Sequence, residues 1–413
     1  MNGLSTNSRR DFIKGGLGMV GAGAALPHFL PNNVIAGPVA QKDGPILVVI
    51  QLAGGHDGLS AVVPYTNDDY YKARPKCAYA KNEVLRINDE LGFSPAMTGF
   101  KELMDEGQLA VIQGIGYPNH NRSHFTSMEI WKLADRERKE TEGWLGRYID
   151  AAFEGDPNQK LAIAVRMAKT PLAIKGREHP GVSFSDANSF RYRLADKDEG
   201  KEMAYRDFNK VAMKKGEVDS LDHVTRTATN ANVASDEVRA IVAQYKGSVK
   251  YPKTKLGSAL KMVGALIAGG LGSRVYYVQQ GGFDTHTQVK TRHPKLMKEL
   301  CDASLAFQKD LEDQGNAEQV ASMVWSEFGR RVKENYSLGL DHGQAGPMFV
   351  FGSGIAGGVY GDLPSLAESD LDKGDLKYHT DFRSVYATLL EDWMGSPSEK
   401  ILGDAYPRIG FVG

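Results

Sequence analysis

The sequence is short of cysteine, of charge imbalance and of long apolar runs. Its 413 residues include two cysteines, Cys77 and Cys301, which excludes a cysteine-rich zinc site and leaves His, Asp and Glu as candidate metal ligands. The pair could form one disulfide in an oxidising compartment or remain as two buried thiols. The 50 basic and 51 acidic residues give a net charge of −1 without a basic stripe, so the composition does not favour a nucleic-acid partner.

The apolar run near the N-terminus is too short to be a stable membrane anchor. It covers about sixteen residues, Gly15–Leu30, is rich in Gly and Ala, and is interrupted by Pro27 and His28. A membrane-spanning helix needs roughly 20 mostly apolar residues. No later segment is apolar enough to cross a membrane, so we expect no stable transmembrane anchor.

A basic motif precedes this run and indicates export. Ser8-Arg9-Arg10-Asp11-Phe12-Ile13-Lys14 has the paired arginine, apolar couple and lysine that are typical of a twin-arginine signal. Val34-Ile35-Ala36 and Pro38-Val39-Ala40 are candidate cleavage ends; the alternative is a basic tail followed by a glycine-rich linker. We expect residues 1–40 to be removed, the twin-arginine translocase to be a partner during export, and the mature protein to be periplasmic or secreted. Folding before export would keep both cysteines as thiols.

Strand and helix patterns alternate along residues 41–413, which we expect to form one α/β domain with a mainly parallel sheet. The predicted strands are Pro45–Leu52, Gln108–Gly114, Leu161–Val165, Ser273–Gln279, Val320–Trp325 and Met348–Phe351. The predicted helices between them are Met97–Glu106, Thr126–Ala134, Trp144–Phe153, Leu256–Ala268, Pro294–Glu312 and Phe382–Trp393. Residues 186–250 are rich in charge and predict a helical insertion or cap, with a helix at Glu237–Tyr245.

Histidines and carboxylates follow several of the predicted strands. In an open α/β sheet, ligands bind beyond the carboxyl ends of the strands, and that is where Asp284 with His286, and Asp341 with His342, stand. His and carboxylate together suit zinc and other divalent first-row ions, and carboxylates also suit magnesium, calcium or manganese. Two such pairs could hold one or two metal ions. The alternative is that each pair arises by chance, with His342 beside Gly343 only capping a turn.

Ser123 is the candidate nucleophile. It precedes a helical pattern, and a helix N-terminus favours an alkoxide and an incoming anion. Arg122 and Arg330 could hold phosphate or sulfate oxygens, and His124 completes the candidate catalytic set. The alternatives are that Ser123, or Thr126 in a Thr-x-x-Glu capping box, only caps the helix, and that the arginines only pair with surface carboxylates.

The ordered motifs of the chain resemble those of DUF1501, a family of exported bacterial proteins with a domain of unassigned function. The motifs are Gly54–Gly58, Arg122–Phe125, Gly143–Arg147, Phe283–His286, Ser326–Arg330, Asp341–Gly343 and Thr380–Arg383, together with the leader. That family is grouped with the alkaline phosphatase and sulfatase superfamily. The resemblance implies an alkaline-phosphatase-like three-layer α/β sandwich, a nucleophile at a helix start and a one- or two-metal Asp/His site.

Carried over, the resemblance assigns Ser123 as the nucleophile, the two Asp/His pairs as ligands, Asp57 as the early carboxylate, and His379 or Asp381 as the late ligand. Two departures stand out. Gln51 occupies the place where the superfamily usually has its early Asp, which leaves room for a one-metal site or for lost catalysis. The Cys/Ser-x-Pro-x-Arg signature is absent around both cysteines, which excludes a formylglycine sulfatase.

We therefore expect an exported metal-dependent hydrolase of phosphate or sulfate esters, acting on an anionic ester that is a small molecule or a glycan. The alternative is a non-catalytic exported binding or envelope-assembly protein that reuses the fold. A metal-independent serine hydrolase is disfavoured, because no Gly-x-Ser-x-Gly elbow surrounds Ser123.

Overall fold

The computed structural model describes residues 44–155, 158–187, 203–204 and 234–413. The twin-arginine motif and the candidate cleavage ends lie outside these residues, as does most of the 186–250 segment. In the described part of that segment, residues 234–244 form a helix, close to the predicted Glu237–Tyr245. Within the described ranges, no helix combines the length and apolar character needed to cross a bilayer.

Twelve strands are defined in the described residues. They are β1 Ile46–Ala53, β2 Val62–Val63, β3 Leu85–Arg86, β4 Gly92–Phe93, β5 Leu109–Gly116, β6 Ala162–Val165, β7 Val182–Phe184, β8 Val275–Gly281, β9 Val320–Ser326, β10 Gly346–Phe351, β11 Gly358–Tyr360 and β12 Thr380–Asp381. The helices of the described residues are α1 Gly58–Ala61, α2 Asp68–Ala73, α3 Thr98–Asp105, α4 His124–Leu133, α5 Trp144–Ala152, α6 234–244, α7 Lys255–Ala268, α8 Val289–Gln314, α9 Phe382–Thr388 and α10 Ser398–Leu402. A π-helical turn, Leu389–Trp393, follows α9, and short 3₁₀ turns connect other elements.

The nine-stranded sheet has the order β11-β5-β10-β9-β1-β8-β6-β7, with β12 pairing the end of β5. All neighbours pair in parallel except β10, which is antiparallel to both β5 and β9. Strand β10 runs opposite to both of its neighbours, so β5 and β9 run in the same direction as each other. The predicted α/β fold with a mainly parallel sheet is confirmed, and β1, β5, β8 and β9 end at one common edge.

Helices cover both faces of this sheet. Along β1, Val48 and Ile50 pack with residues of α3, α7 and α8, whereas Leu47 and Val49 pack with residues of α4, α5 and α9. A strand that is buried on both faces reads as a continuous apolar run, which is why β1 and its neighbours could be predicted from the sequence. The result is a three-layer arrangement, with β2, β3 and β4 as a separate small sheet.

Two helices begin earlier than the sequence predicts. Helix α8 starts at Val289 rather than at Pro294, so that proline lies inside the helix after its first turn. Helix α4 starts at His124 with Ser123 as its N-cap, which makes Thr126 an internal residue and the predicted Thr126 capping box wrong. Both cysteines are buried and free, so the thiol alternative holds and the disulfide does not.

Candidate metal centre

The loops that leave β5, β8 and β9 gather four predicted residues into one cluster. His124 opens α4 after β5, Asp284 and His286 lie in the loop after β8, and His342 lies in the loop after β9. Since these strands run in the same direction, their loops leave the same edge of the sheet. The two predicted pairs therefore meet at one place, together with a histidine that the sequence assigned to catalysis.

The ligand atoms of this cluster converge on Asp284 Oδ1. It lies 3.2 Å from His342 Nε2, 3.1 Å from His286 Nε2 and 3.6 Å from His124 Nε2. The ligand atoms of His124, Asp284 and His342 are all within 4.8 Å of one another, and His286 Nε2 is 3.0 Å from His342 Nε2. Ligands bound at about 2.1 Å around a tetrahedral ion lie roughly 3.4 Å apart, so the spacings of His124, Asp284 and His342 fit a single ion, and His286 lies beside two of these three ligands.

The other nitrogen of each ring is fixed by a hydrogen bond. His124 Nδ1 lies 2.7 Å from Glu327 Oε1, His286 Nδ1 lies 3.2 Å from Asp341 Oδ1, and His342 Nδ1 lies 2.9 Å from the carbonyl oxygen of Arg122. A carbonyl or an ionised carboxylate can only accept, so each Nδ1 donates.

That tautomer leaves the lone pair of a neutral ring on Nε2, directed into the cluster. His124 Nε2 is buried and has no hydrogen-bond partner among the residues that the structure describes. Nitrogen lone pairs that face one another around a carboxylate are unfavourable unless a cation or a proton lies between them. The outer hydrogen bonds are those that orient metal-bound histidines, so the residues present fit a divalent ion.

Glu327 belongs to the motif Ser326–Arg330, but the sequence analysis gave it no role at the site. It is fully buried, and Oε1 accepts hydrogen bonds from His124 and from the backbone N–H of Gly54 at 2.9 Å. Its bond to His124 is the largest reason that the pKa of that histidine is raised. The signal was available in the motif Ser326-Glu327-Phe328, which directly follows β9.

Arg330 anchors Asp284 and is otherwise bonded to backbone carbonyls. Its guanidinium is buried, and it donates to Asp284 Oδ1 at 2.6 Å. Its other N–H groups point to the carbonyl oxygens of Gly54, Gly55, Phe283 and Leu340. Burial raises the pKa of Asp284, but Arg330 outweighs it and lowers that pKa to about 2. Arg330 therefore positions Asp284, and a role for it in holding a substrate anion stays a prediction.

The side chain of Arg122 is bonded within the protein but is still partly exposed to solvent. It donates to the buried carboxylate of Asp375 at 2.5 Å, and its side chain is about one-third exposed (37%). His120 and Arg331 approach the same carboxylate at 3.1 Å and 3.5 Å. Two arginines and one histidine therefore surround a single carboxylate. With both arginines charged, the net charge of this group beside the cluster is positive.

Ser123 stands at the N-cap of α4, next to His124. The residue is exposed, its hydroxyl forms no capping hydrogen bond, and its backbone N–H donates to Asn121 Oδ1 at 2.7 Å. The helix start expected for a nucleophile is therefore in place. Its hydroxyl is not committed to capping the helix.

The other predicted ligands have different roles in the structure. Both oxygens of Asp57 bind Arg74 at 2.9 Å in a fully buried pair; burial favours a higher pKa, but the arginine lowers the pKa of Asp57 to about 2. Asp381 caps α9 and pairs with Arg383 at 2.7 Å. His379 is exposed, and none of these three belongs to the group of converging ligand atoms among the described residues.

Gln51 and Asp341 also have defined places. Gln51 lies inside β1, where it accepts a hydrogen bond from the buried Tyr277 hydroxyl at 2.7 Å, so it is not at the site. Asp341 binds His286 through the oxygen that also accepts from Asn335 at 3.1 Å. Asp341 thus orients a ligand histidine, and the structure gathers one cluster rather than two separate pairs.

Comparison with known proteins identifies the family. The sequence profile described as "Protein of unknown function (DUF1501)" matches residues 45–401. The chain belongs to the DUF1501 family. No curated protein matches this DUF1501 chain in sequence.

Solved structures that resemble the DUF1501 chain include the three that follow. PsFucS1 sulfatase from Pseudoalteromonas sp. is 12% identical with a TM-score of 0.38, covering 90% of this chain and 71% of its own. A protein in the alkaline phosphatase superfamily from Vibrio parahaemolyticus is 8% identical with a TM-score of 0.37, covering 89% and 71%. The C-terminal periplasmic domain of EcEptC from Escherichia coli, in complex with Zn, is 8% identical with a TM-score of 0.35, covering 80% and 77%.

Proposed function

We propose that this DUF1501 chain is an exported, metal-dependent hydrolase of phosphate or sulfate esters with Ser123 as its nucleophile. The observation that carries the proposal is the convergence of three histidine Nε2 atoms on Asp284 Oδ1, with every Nδ1 bonded to an outer oxygen acceptor. Such an arrangement stabilises little unless a cation occupies it, and it is built from residues that the sequence scatters over more than two hundred positions.

The donor set favours zinc or another first-row divalent ion over magnesium or calcium. His124, His286, His342 and Asp284 offer three nitrogens and one oxygen, whereas magnesium and calcium prefer oxygen alone. A divalent ion bound there would polarise an ester oxygen and neutralise the charge that develops on it. If His124, Asp284 and His342 bound the ion, a fourth position would stay open for water or substrate, as it does in catalytic zinc sites.

The chain's own residues supply the remaining parts. The Ser123 hydroxyl would attack the phosphorus or sulfur atom, the bond to the alcohol would break, and the alcohol would leave with a proton. Water would then hydrolyse the serine ester and release phosphate or sulfate. Arg122 would hold the anionic oxygens through the exposed part of its guanidinium, which Asp375 keeps in position.

Export in the folded state is part of this proposal. The ligands come from three separate loops, so the site exists only in the folded protein. A twin-arginine leader would allow the chain to fold and acquire its ion before it reaches the periplasm.

The proposal is tested by metal analysis and by assays on a panel of phosphate and sulfate esters. We expect about one bound ion per chain and turnover of at least one ester class, with Asp284→Asn losing the ion and Ser123→Ala keeping it but losing turnover. Ser258→Ala on α7 and Asp302→Asn on α8 are the matched controls, because their side chains bond Thr254 and Lys298 and none of the cluster residues. No bound ion, or turnover that neither site variant changes, would overturn the proposal; stable ligand binding with no turnover would favour the non-catalytic alternative.

A further inference from the structure

Large exposed hydrophobic side chains are concentrated in two loops beside the candidate metal centre. The described part of the chain exposes four of them: Phe125, Met203, Tyr336 and Leu338. Three of the four lie in the segments that leave β5 and β9. Phe125 is 86% exposed and Tyr336 is completely exposed. Single exposed apolar residues are ordinary, but a concentration of this kind beside a polar site indicates a binding surface.

Each aromatic side chain is one residue away from a group that builds the cluster. Phe125 directly follows His124 in α4. Tyr336 directly follows Asn335, whose side-chain amide donates to Asp341 Oδ1 at 3.1 Å and to the carbonyl oxygen of His286 at 3.0 Å. The two aromatics therefore belong to two different segments, the first turn of α4 and the loop after β9, which both contribute to the same cluster. We call Phe125 and Tyr336 the aromatic rim.

Hydrogen bonds fix the loop that carries Tyr336. The backbone carbonyls of Ser337 and Leu338 accept from the N–H groups of Gln288 and Val289 at 3.1 Å and 2.8 Å. These bonds tie the loop to the segment that carries His286, so Tyr336 is exposed on an anchored turn.

The same loop contains backbone strain. Leu338 has a φ of +55°, in the left-handed region that bulky residues rarely adopt. A Cβ on the next residue, Gly339, would lie 2.0 Å from the carbonyl carbon of His286, so only glycine allows this close approach. Strain held by specific contacts beside a site is a reason to look for function in that loop.

The cluster itself is open to solvent. The side chains of Asp284, His286 and Asp341 are 49%, 43% and 53% exposed. An ester bound with its anionic group against the cluster would therefore leave its alcohol portion outside, over the border of the site. The aromatic rim is uncharged and exposed, and each of its residues is adjacent in sequence to a residue that builds this border.

We propose that the aromatic rim is a platform for a ring in the alcohol portion of the ester, either an aryl ring or the apolar face of a pyranose. This inference rests on the proposed function, which places the anionic group of the ester at the cluster. Flat rings pack on Phe and Tyr faces with a gain beyond simple area burial, whereas a short alkyl group covers little of either face. Phe125 and Tyr336 are then specificity-determining residues, without a part in the chemical step.

The test uses phosphonates, because their carbon–phosphorus bond is not an ester and binding can be measured without turnover. Zinc-loaded protein is titrated calorimetrically with methylphosphonate, phenylphosphonate and the phosphonate analogue of glucose 6-phosphate. We expect at least one ring-bearing probe to bind about tenfold more tightly than methylphosphonate. Phe125→Ala and Tyr336→Ala should each weaken the ring-bearing probe about threefold to tenfold and leave methylphosphonate unchanged, while Phe125→Tyr and Tyr336→Phe keep the preference.

The outcomes separate this inference from the proposed function. A preference for phenylphosphonate alone identifies an aryl ester, and a preference for the sugar phosphonate alone identifies a glycan ester. Equal binding of all three probes, or a ring preference that both alanine variants retain, overturns the platform while leaving the metal site intact. Failure of every probe to bind, methylphosphonate included, overturns the platform and the proposed anion site together.

Discussion

At the scale of single residues, the orientation of a side chain matters as much as the residue type. His124 and His342 would be ordinary polar side chains if their Nδ1 atoms faced solvent, but each is held by an oxygen acceptor that points Nε2 inward. Buried polar atoms are normally paired, so the unpaired Nε2 of His124 is informative. The outer acceptors are therefore as much a part of the candidate site as the ligands.

The first prediction concerns Glu327, which orients His124. Glu327→Gln keeps an oxygen acceptor of the same shape but removes the charge, so His124 becomes a weaker donor to an ion. We expect metal affinity to fall about tenfold to a hundredfold, measured by competition with a chelator of known affinity. Glu391→Gln is the matched control, because Glu391 bonds Ser398 and Arg408 and none of the cluster residues. An unchanged affinity in Glu327→Gln would show that this bond does not support the site.

The second prediction concerns a buried histidine pair below the cluster. His56 Nδ1 lies 3.3 Å from His293 Nε2, and burial lowers the pKa of His56 to about 3 and that of His293 to about 4. The charged groups that face the pair are Asp57, Arg74 and Arg330. Both rings are neutral in the folded protein and take up protons on unfolding below pH 6.5, so the free energy of unfolding should fall as pH falls from 6.5 towards 4.

The expected slope is about 1.4 kcal/mol per pH unit for each histidine. Denaturant titrations of metal-free protein at pH 7, 6 and 5 measure it, and His293→Gln should reduce the slope by about half. If His293→Gln and the parent protein show the same slope, the pair is not the source of the acid sensitivity.

Sequence reasoning at this scale found Asp284, His286 and His342, because each lies in a loop that follows a strand with a clear apolar run. It could not foresee that Arg74 would take both oxygens of Asp57, or that carbonyls from three segments would occupy Arg330. Those partners are set by the path of remote loops. The types and the spacing of residues in the sequence do not predict the path of those loops.

At the scale of elements, the site depends on how closely the loops can approach. The loop after β1 lies against the loop after β8 only because Gly54 has a φ of +126° and no side chain. A Cβ there would lie 2.4 Å from the backbone nitrogen of Asp284. This approach also lets the Gly54 N–H reach Glu327.

The third prediction follows from that contact. Gly54→Ala should lower the free energy of unfolding by about 1–3 kcal/mol, because its backbone conformation suits only glycine and the loop must move. It should also weaken metal binding, since Asp284 moves with the loop. Gly281→Ala is the matched control: it lies at the end of β8, its φ is ordinary, and nothing lies within 4 Å of its added Cβ. Equal stability of the two variants by denaturant titration would contradict the account.

Element boundaries show what local sequence can and cannot predict. The six predicted strands are present, each within two residues of its expected start, because strands buried on both faces are continuously apolar. The short strands β7, β11 and β12 had no such run and were not predicted. Helix α8 passes through Pro294 because its long apolar face, including Leu300 and Phe307, packs in the core on one side of the sheet.

At the scale of the whole molecule, the fold collects one site from distant parts of the chain. The ligands span His124 to His342, so an ion bound by all of them ties together the loops of β5, β8 and β9. The alternation of strands and helices was enough to predict this edge of the sheet as the place for chemistry. It was not enough to predict that one cluster forms instead of two pairs, because that depends on the paths of the loops.

The fourth prediction is that the ion stabilises the whole fold. A ligand that binds only the folded state adds about 2.7 kcal/mol when it is present at a hundred times its Kd. Zinc should therefore raise the Tm of the parent protein, and a chelator should reverse the effect. Asp284→Asn should abolish this shift, whereas Asp302→Asn should retain it. A Tm that is indifferent to zinc in the parent protein would count against a site formed by folding.

The most direct test of the central claim is the anomalous scattering of a crystal of the zinc-loaded protein. The account predicts one zinc ion bound by Nε2 of His124, His286 and His342 and by Oδ1 of Asp284, with Ser123 and the aromatic rim bordering it. An ion bound elsewhere, or two ions shared between separate Asp284/His286 and Asp341/His342 pairs, would contradict it.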